Sequence, residues 1–356
     1  MTSPGPQARA LPQLHGTKFV TDGGMETDLI FHHGVDLPDF AAFPLLDTAE
    51  GRALLTHYYD GYATIAQQAS AGLMLEAPTW RANPDWGTRL GYGAADLARV
   101  NTAAITLLAG LRERYATTLG VGTVLVSGMV GPRGDGYASG LPDPQEAASY
   151  HGPQLEAFAA AGADLATALT LADVPEAIGV VQAARAAGLP IAISFTVETD
   201  GRLPSGPTIA DAITTVDATA APDYYLINCA HPSHIRAGLG PPGPWVDRIA
   251  GTRANASLKS HAELDEAEDL DEGDVATLAA AQADLTAALP ALTVLGGCCG
   301  TDQRHVAAGC CGRPAVRPLC AGPKARRPAG APPSHSEPPQ TKREPQPQVV
   351  AEIWGC

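Results

Sequence analysis

Short apolar runs alternate with alanine-rich amphipathic stretches along most of this chain. The first four runs are 18–24 (KFVTDGG), 72–78 (GLMLEAP), 123–131 (TVLVSGMVG) and 163–170 (ADLATALT). The next four are 190–198 (PIAISFTVE), 224–230 (YYLINCA), 252–257 (TRANAS) and 292–299 (LTVLGGCC). Between them, apolar residues recur three and four positions apart over 50–70, 95–118, 145–161, 175–187, 208–220 and 274–288, the spacing of one helix face. A poorer helical candidate covers 232–250. Eight strands alternating with helices over residues 17–308 predict an α/β fold, a single-domain (β/α)8 TIM-like barrel. A doubly wound open sheet shares the alternation, but its dinucleotide signature is missing: DGGMET after the first run is not GxGxxG. In a barrel, the chemistry sits at the C-terminal ends of the strands.

The pattern stops at both ends. Residues 1–16 are rich in Pro, Gln and Ala and are expected to form a flexible arm. Residues 309–356 are dense in Pro, Lys and Arg without hydrophobic periodicity, the composition of a disordered tail. That tail starts where the last barrel helix should be under way, so a shortened helix is expected there. Charge divides the same way. The chain carries −15, whereas the segment from 309 has seven Lys/Arg against three Asp/Glu, a net of +4 that leaves −19 on the rest. So acidic a barrel argues against nucleic acid or an anionic membrane as partner, since both reward a basic face. No apolar run reaches the roughly 20 residues of a membrane-spanning helix. The opening MTSPGPQARALPQLHG has neither the charged nor the apolar region of a secretory signal. A cytoplasmic protein is expected.

Seven cysteines in so long a chain do not form a disulfide scaffold. None precedes Cys229; the others are Cys298, Cys299, Cys310, Cys311, Cys320 and Cys356. Cys229 ends the sixth strand in INCAH, and Cys298 and Cys299 end the eighth in GGCCG. In a closed barrel one neighbour separates these strands, so all three thiols can face one point above the sheet. Adjacent side chains on a strand diverge, but flanking glycines release the pair from strand geometry. Three thiolates suit Zn²⁺ with its fourth tetrahedral position open, and a further thiol bound there would ionise at neutral pH. The second pair, in GCCG at 309–312, follows no apolar strand and is not expected to bind metal. His231 and His234 are ligands by type, but they fall past the strand end beside a proline and are expected in the loop or on the rim.

The segments DGGMETDL (22–29), GMVGPRGDGY (128–137), INCAHP (227–232) and VLGGCCGT (294–301) together resemble the homocysteine S-methyltransferase family over residues 17–308. The resemblance implies a zinc-bearing barrel that binds homocysteine through sulfur. Its thiolate then takes a methyl group in one in-line displacement from S-methylmethionine, S-adenosylmethionine or betaine, giving methionine. By the same resemblance Cys229, Cys298 and Cys299 are the zinc ligands. Asp22, Gly23 and Gly24 hold the amino-acid end of homocysteine, with Met25 and Glu26 adjoining. From the residues alone, Asp22 also reads as a helix N-cap at a glycine turn. Thr79, Asn83 and Asn228 are pocket residues by strand-end position, with a plain loop role as the alternative.

One departure stands out. Many family members carry a Glu after the fourth strand that binds the substrate ammonium, and here Leu169 occupies that place. Glu198, ending the fifth strand in SFTVETDG, is expected to take over, a loop-anchoring role being its alternative. A second reading follows, that of a zinc- or thiol-binding relative with a shifted substrate or no methyl transfer. A single-domain, cobalamin-independent enzyme is the natural inference at this length; oligomeric state is not legible.

Overall fold

The computed structural model describes residues 11–311 apart from 135, 138–139, 141–142 and 268. Eight parallel strands close into a barrel in chain order. They are β1 (Phe19–Val20), β2 (Gly72–Glu76), β3 (Val124–Val130), β4 (Leu165–Leu171), β5 (Ile191–Phe195), β6 (Tyr224–Asn228), β7 (Ile249–Ala254) and β8 (Val294–Gly297). Phe19 pairs with Val294 and Val20 with Leu295, which closes the sheet and leaves no edge. The predicted barrel is the observed fold.

Helices fill the connections. After β1 come α1 (Met25–Thr27) and α2 (Ala49–Gln68), and after β2 come α3 (Pro84–Arg89) and α4 (Ala94–Arg114). The next four strands are followed by α5 (Pro144–Ala161), α6 (Val174–Ala186), α7 (Ile209–Thr219) and α8 (Pro232–Gly238). The last two are followed by α9 (His261–Asp265) with α10 (Val275–Ala288), and by α11 (Gln303–Cys311). The helix expected over 232–250 breaks after Gly238, because GLGPPGP offers neither helix propensity nor backbone donors at its prolines. A 3-10 turn over Pro244–Arg248 follows, so β7 starts at Ile249 and not at the expected 252. Asn255, Ala256 and Ser257 therefore lie in the loop above the strand. At the other end, α11 runs three residues past the boundary expected at 308, and residues 312–356 of the expected tail lie outside the described residues.

Alternation along each strand sorts the barrel interior into layers. At the N-terminal end an apolar layer packs Phe19, Met74, Leu125, Leu165, Ala192 and Tyr224 together. Two residues further along the same strand faces the layer turns polar, with Glu76, Ser127, Thr167 and Ser194 all fully buried. The Ser127 and Thr167 hydroxyls share a 2.8 Å hydrogen bond. The apolar layer is a foundation; the polar one carries the site.

The arm expected over 1–16 requires a correction. Residues 1–10 lie outside the described residues, but Pro12–His15 form a 3-10 turn that covers the bottom of the barrel. Leu11 is buried in the apolar layer, and the Gln13 carbonyl accepts a 2.9 Å hydrogen bond from the Thr293 hydroxyl. The physical reason is that an open barrel end exposes apolar strand termini to water, and Leu11 removes that surface. Leu11→Ala should destabilise the fold by about 2–3 kcal/mol, seen as a lower denaturation midpoint with an unchanged slope. An unchanged midpoint would show that the turn is dispensable.

Candidate metal centre and substrate cavity

Cys229 leaves β6 with φ at +51°, in the left-handed region that residues with a Cβ seldom adopt. Several groups hold it there. Its N–H donates to the Arg253 carbonyl at 3.1 Å, and its own carbonyl accepts from Asn255 Nδ2 at 3.1 Å and His261 Nε2 at 2.7 Å. On the facing side, Cys298 and Cys299 follow directly on β8. A methyl group on Gly24 would come within 2.5 Å of the Cys298 carbonyl oxygen, and one on Gly23 within 2.8 Å of the Thr301 carbonyl. Gly23 and Gly24 are thus needed for close packing of the β1 loop on the cysteine loop. The Gly24 N–H is spent on the Thr301 carbonyl at 3.0 Å and is not free for a substrate carboxylate.

The three sulfurs lie within 4.8 Å of one another. Cys229 and Cys298 are joined as a disulfide with Cα atoms 5.4 Å apart, and Cys299 is a free thiol. Once reduced, this trio fits a tetrahedral metal: zinc–sulfur bonds of about 2.3 Å place thiolates roughly 3.8 Å apart. The surroundings suit sulfur donors as well. Thr170 Oγ1 approaches Cys229 Sγ at 3.7 Å, and Asn228 Nδ2 approaches Cys298 Sγ at 3.8 Å. Burial and the neighbouring Glu26 charge push the Cys299 thiol up to about 12. Only a cation at the trio would make that thiolate available at neutral pH.

Above the sulfurs opens a cavity of about 700 Å³ whose lining includes Asp22, Glu26, Arg81, Leu169 and Arg253. Its strongest electrostatic feature was not foreseen. Arg253, at the end of β7 and 3% exposed, pairs with Asp22 at 2.7 Å and with Glu76, and donates to the carbonyls of Gly23 and Gly297 at 3.0 Å each. Burial pushes the Asp22 and Glu76 carboxyls upward, with Arg253 opposing. Burial works against the Arg253 charge too, but the two carboxylates raise it above its ordinary value. Asp22 is therefore neither a helix N-cap nor a free carboxylate; Gly24 holds the N-cap position of α1. A lone Arg and a lone Glu at the ends of apolar strands were the signal available in TRANAS and GLMLEAP.

Other expected site residues are employed elsewhere. Asn228 does line the cavity, bonded to the Thr170 N–H and the Ser194 hydroxyl at 2.8 and 2.6 Å. The Thr79 hydroxyl is taken by the Met129 carbonyl at 2.8 Å. Asn83 caps α3, its Oδ1 accepting from the Trp86 N–H and the Tyr150 hydroxyl. Neither belongs to the cavity lining. Glu198 does not enter the cavity either: it lies behind Cys229, 3.0 Å from His261 Nδ1. His231 caps α8, and burial, helped by His234, lowers its imidazole to about 4. Cys310, on α11, lines a separate cleft between that helix and α10.

A family model described as homocysteine S-methyltransferase matches residues 19–310. The chain belongs to the homocysteine S-methyltransferase family. Its reaction is the transfer of a methyl group to homocysteine, giving methionine. No curated protein matches it by sequence. Among solved structures it is similar to the homocysteine methyltransferase MmuM from Escherichia coli. The metallated form has a TM-score of 0.65 at 20% identity, covering 84% of this chain and 96% of that one. The oxidised form has a TM-score of 0.66 at 21% identity, covering 84% and 97%. Among the described residues no helix is long and apolar enough to cross a membrane.

For a homocysteine S-methyltransferase, the charges in this cavity are unusual. Leu169 lines it where the resemblance places a carboxylate, and Asp22 is bound to Arg253. That leaves Glu26, which lines the cavity without an ion pair among the described residues. Burial, with Asp22 adding, raises its carboxyl to about 7. A folded-state value above the ordinary 4.5 contributes stability that is complete below about 4.5 and lost as pH rises through about 7. Reduced, metal-free Glu26→Gln protein should therefore outlast the parent at pH 8, by on the order of 1–3 kcal/mol, and lose that advantage toward pH 4.5. Equal stabilities at both pH values, by chemical denaturation, would contradict the burial of this carboxyl.

Proposed function

We propose that the reduced Cys229, Cys298 and Cys299 hold a zinc ion, and that the cavity above it seats homocysteine with its sulfur on the metal side and its ammonium toward Glu26. The observation that carries this reading is the trio of sulfurs within 4.8 Å of one another at the cavity lining. The metallated form of the E. coli protein supports it. When bound, such a metal lowers the pKa of a thiol ligand so that the nucleophilic thiolate persists at neutral pH.

The rest is work for the chain. Glu26, half-buried and raised toward neutrality, regains its charge when an ammonium group arrives, so substrate binding and ionisation reinforce each other. The Arg253 network keeps Asp22 and the β1 loop in place beside it. Phe40, Trp80 and Tyr137, with Met25 and Met129, give the cavity an aromatic and thioether wall. Such a wall favours a cationic methyl group over water. S-methylmethionine, S-adenosylmethionine and betaine all carry the methyl on a cationic atom, and all three are donors of the right class. A site that works through free thiols favours a reducing compartment such as the cytoplasm.

Purified, reduced protein should contain close to one zinc per chain and form methionine from homocysteine with at least one of the three donors. Cys298→Ser should lose most of the metal and the activity. Full zinc in both Cys229→Ser and Cys298→Ser proteins would overturn the metal assignment. Zinc-loaded protein inactive with every donor would instead favour a shifted substrate. Glu26→Gln should weaken homocysteine binding roughly 10- to 150-fold, the loss of one charge-assisted contact of about 1.5–3 kcal/mol, with zinc content unchanged. Unaltered affinity would remove Glu26 from the ammonium site.

A further inference from the structure

Glu198 and His261 sit behind the metal centre, where neither can touch substrate in the main cavity. They line a small separate cavity of about 190 Å³. His261 is buried and opens α9, with Ser260 as N-cap and Glu263 completing a capping box. The helix start is thus fixed by local sequence, and with it the position of the ring. Its Nε2 faces the Cys229 carbonyl at 2.7 Å, and a carbonyl only accepts, so Nε2 carries a hydrogen. Its Nδ1 faces Glu198 Oε1 at 3.0 Å, which sets the ring's rotation. One face of the ring stacks on Tyr137, with centroids 3.9 Å apart and planes at 28°. Tyr137 lines the main cavity together with Cys299, and its hydroxyl works against the rise of the Cys299 thiol.

We infer that Glu198, His261 and Tyr137 form a positioning bracket that holds Cys229 and Cys299 in metal-binding geometry. The inference rests on the zinc reading of the three thiols. Cys229 has a left-handed backbone at φ +51°, a strained conformation that persists only where the surroundings enforce it. Its carbonyl is the handle. His261 and Asn255 both donate to it, which fixes the peptide that follows Cys229 and hence the direction of its Cβ. Glu198 acts through His261, which holds the Cys229 backbone, and Tyr137 stacks on His261 from the cavity side that Cys299 also lines. Glu198 and His261 are positioning residues that lie outside the cavity lining and do not reach the reacting atoms. Hydrogen bonds that orient metal ligands typically change metal affinity 10- to 100-fold when lost.

The test is zinc affinity of the full-length, reduced protein, measured by competition with a chelating dye, alongside the absorption spectrum of the cobalt-substituted form. His261→Leu should bind zinc 10- to 100-fold more weakly and shift the thiolate-to-cobalt band. His261→Gln keeps an N–H able to reach the Cys229 carbonyl and should retain most of the affinity and the parental spectrum. Tyr137→Phe keeps the stacked ring, loses the hydroxyl at Cys299, and should weaken zinc about three- to tenfold. Parental affinity in folded His261→Leu and in Tyr137→Phe, or equal losses in the Leu and Gln variants, would overturn the bracket. A parent protein that binds no zinc would overturn the zinc reading and the bracket together.

Discussion

Bringing three thiols from two strands to within 4.8 Å of one another is the constraint on which the mouth of this barrel depends. Strand geometry opposes it, since β6 and β8 are separated by β7 and neighbouring side chains on one strand point apart. Two local departures solve the problem. Cys229 turns left-handed as it leaves β6, and Cys298 and Cys299 leave β8 on a glycine-flanked turn packed against Gly23 and Gly24. The surrounding hydrogen bonds maintain these departures against a backbone that would otherwise relax.

The second organising interaction is the buried Asp22–Arg253–Glu76 group beneath the cavity. Three charges away from water are costly unless each is paired and its remaining hydrogen-bonding capacity is met. Arg253 comes close to this by adding the Gly23 and Gly297 carbonyls to its two carboxylates. In doing so it ties together the ends of β1, β2, β7 and β8, the strands beside the cysteine loop. The group is thus structural support for the cavity: it ties Asp22 into an ion pair with Arg253, whereas Glu26 lines the cavity without an ion pair among the described residues.

The barrel was legible because apolar runs of strand length recur with helical stretches between them, and this alternation survives local errors. The seventh run was read three residues late, at Thr252, because Ile249 closes a proline-rich stretch that looked like a failing helix. The cysteine cluster was legible because strand order alone brings the ends of β6 and β8 together. Side-chain direction beyond a strand end was not. Glu198 lies three residues past β5 in a turn closed by its own N–H donating to the Arg202 carbonyl, and that turn carries it behind Cys229. Asn83 stood before a proline, the signature of a helix cap, and capping is its role. The Arg253–Glu76 pairing spans 177 residues and leaves no local pattern to read. His261 did have a signal, the Ser-x-x-Glu capping box around it. What that box could not show is that the ring would meet a cysteine carbonyl 32 residues earlier in the chain.

The central claim is that three cysteines hold a zinc whose remaining position takes the homocysteine sulfur. X-ray absorption at the zinc edge reads the donor atoms directly. The account predicts three sulfur neighbours and one light atom in the resting enzyme, changing to four sulfurs when homocysteine is added. Two or fewer sulfurs at rest, or a shell that homocysteine leaves unaltered, would contradict it.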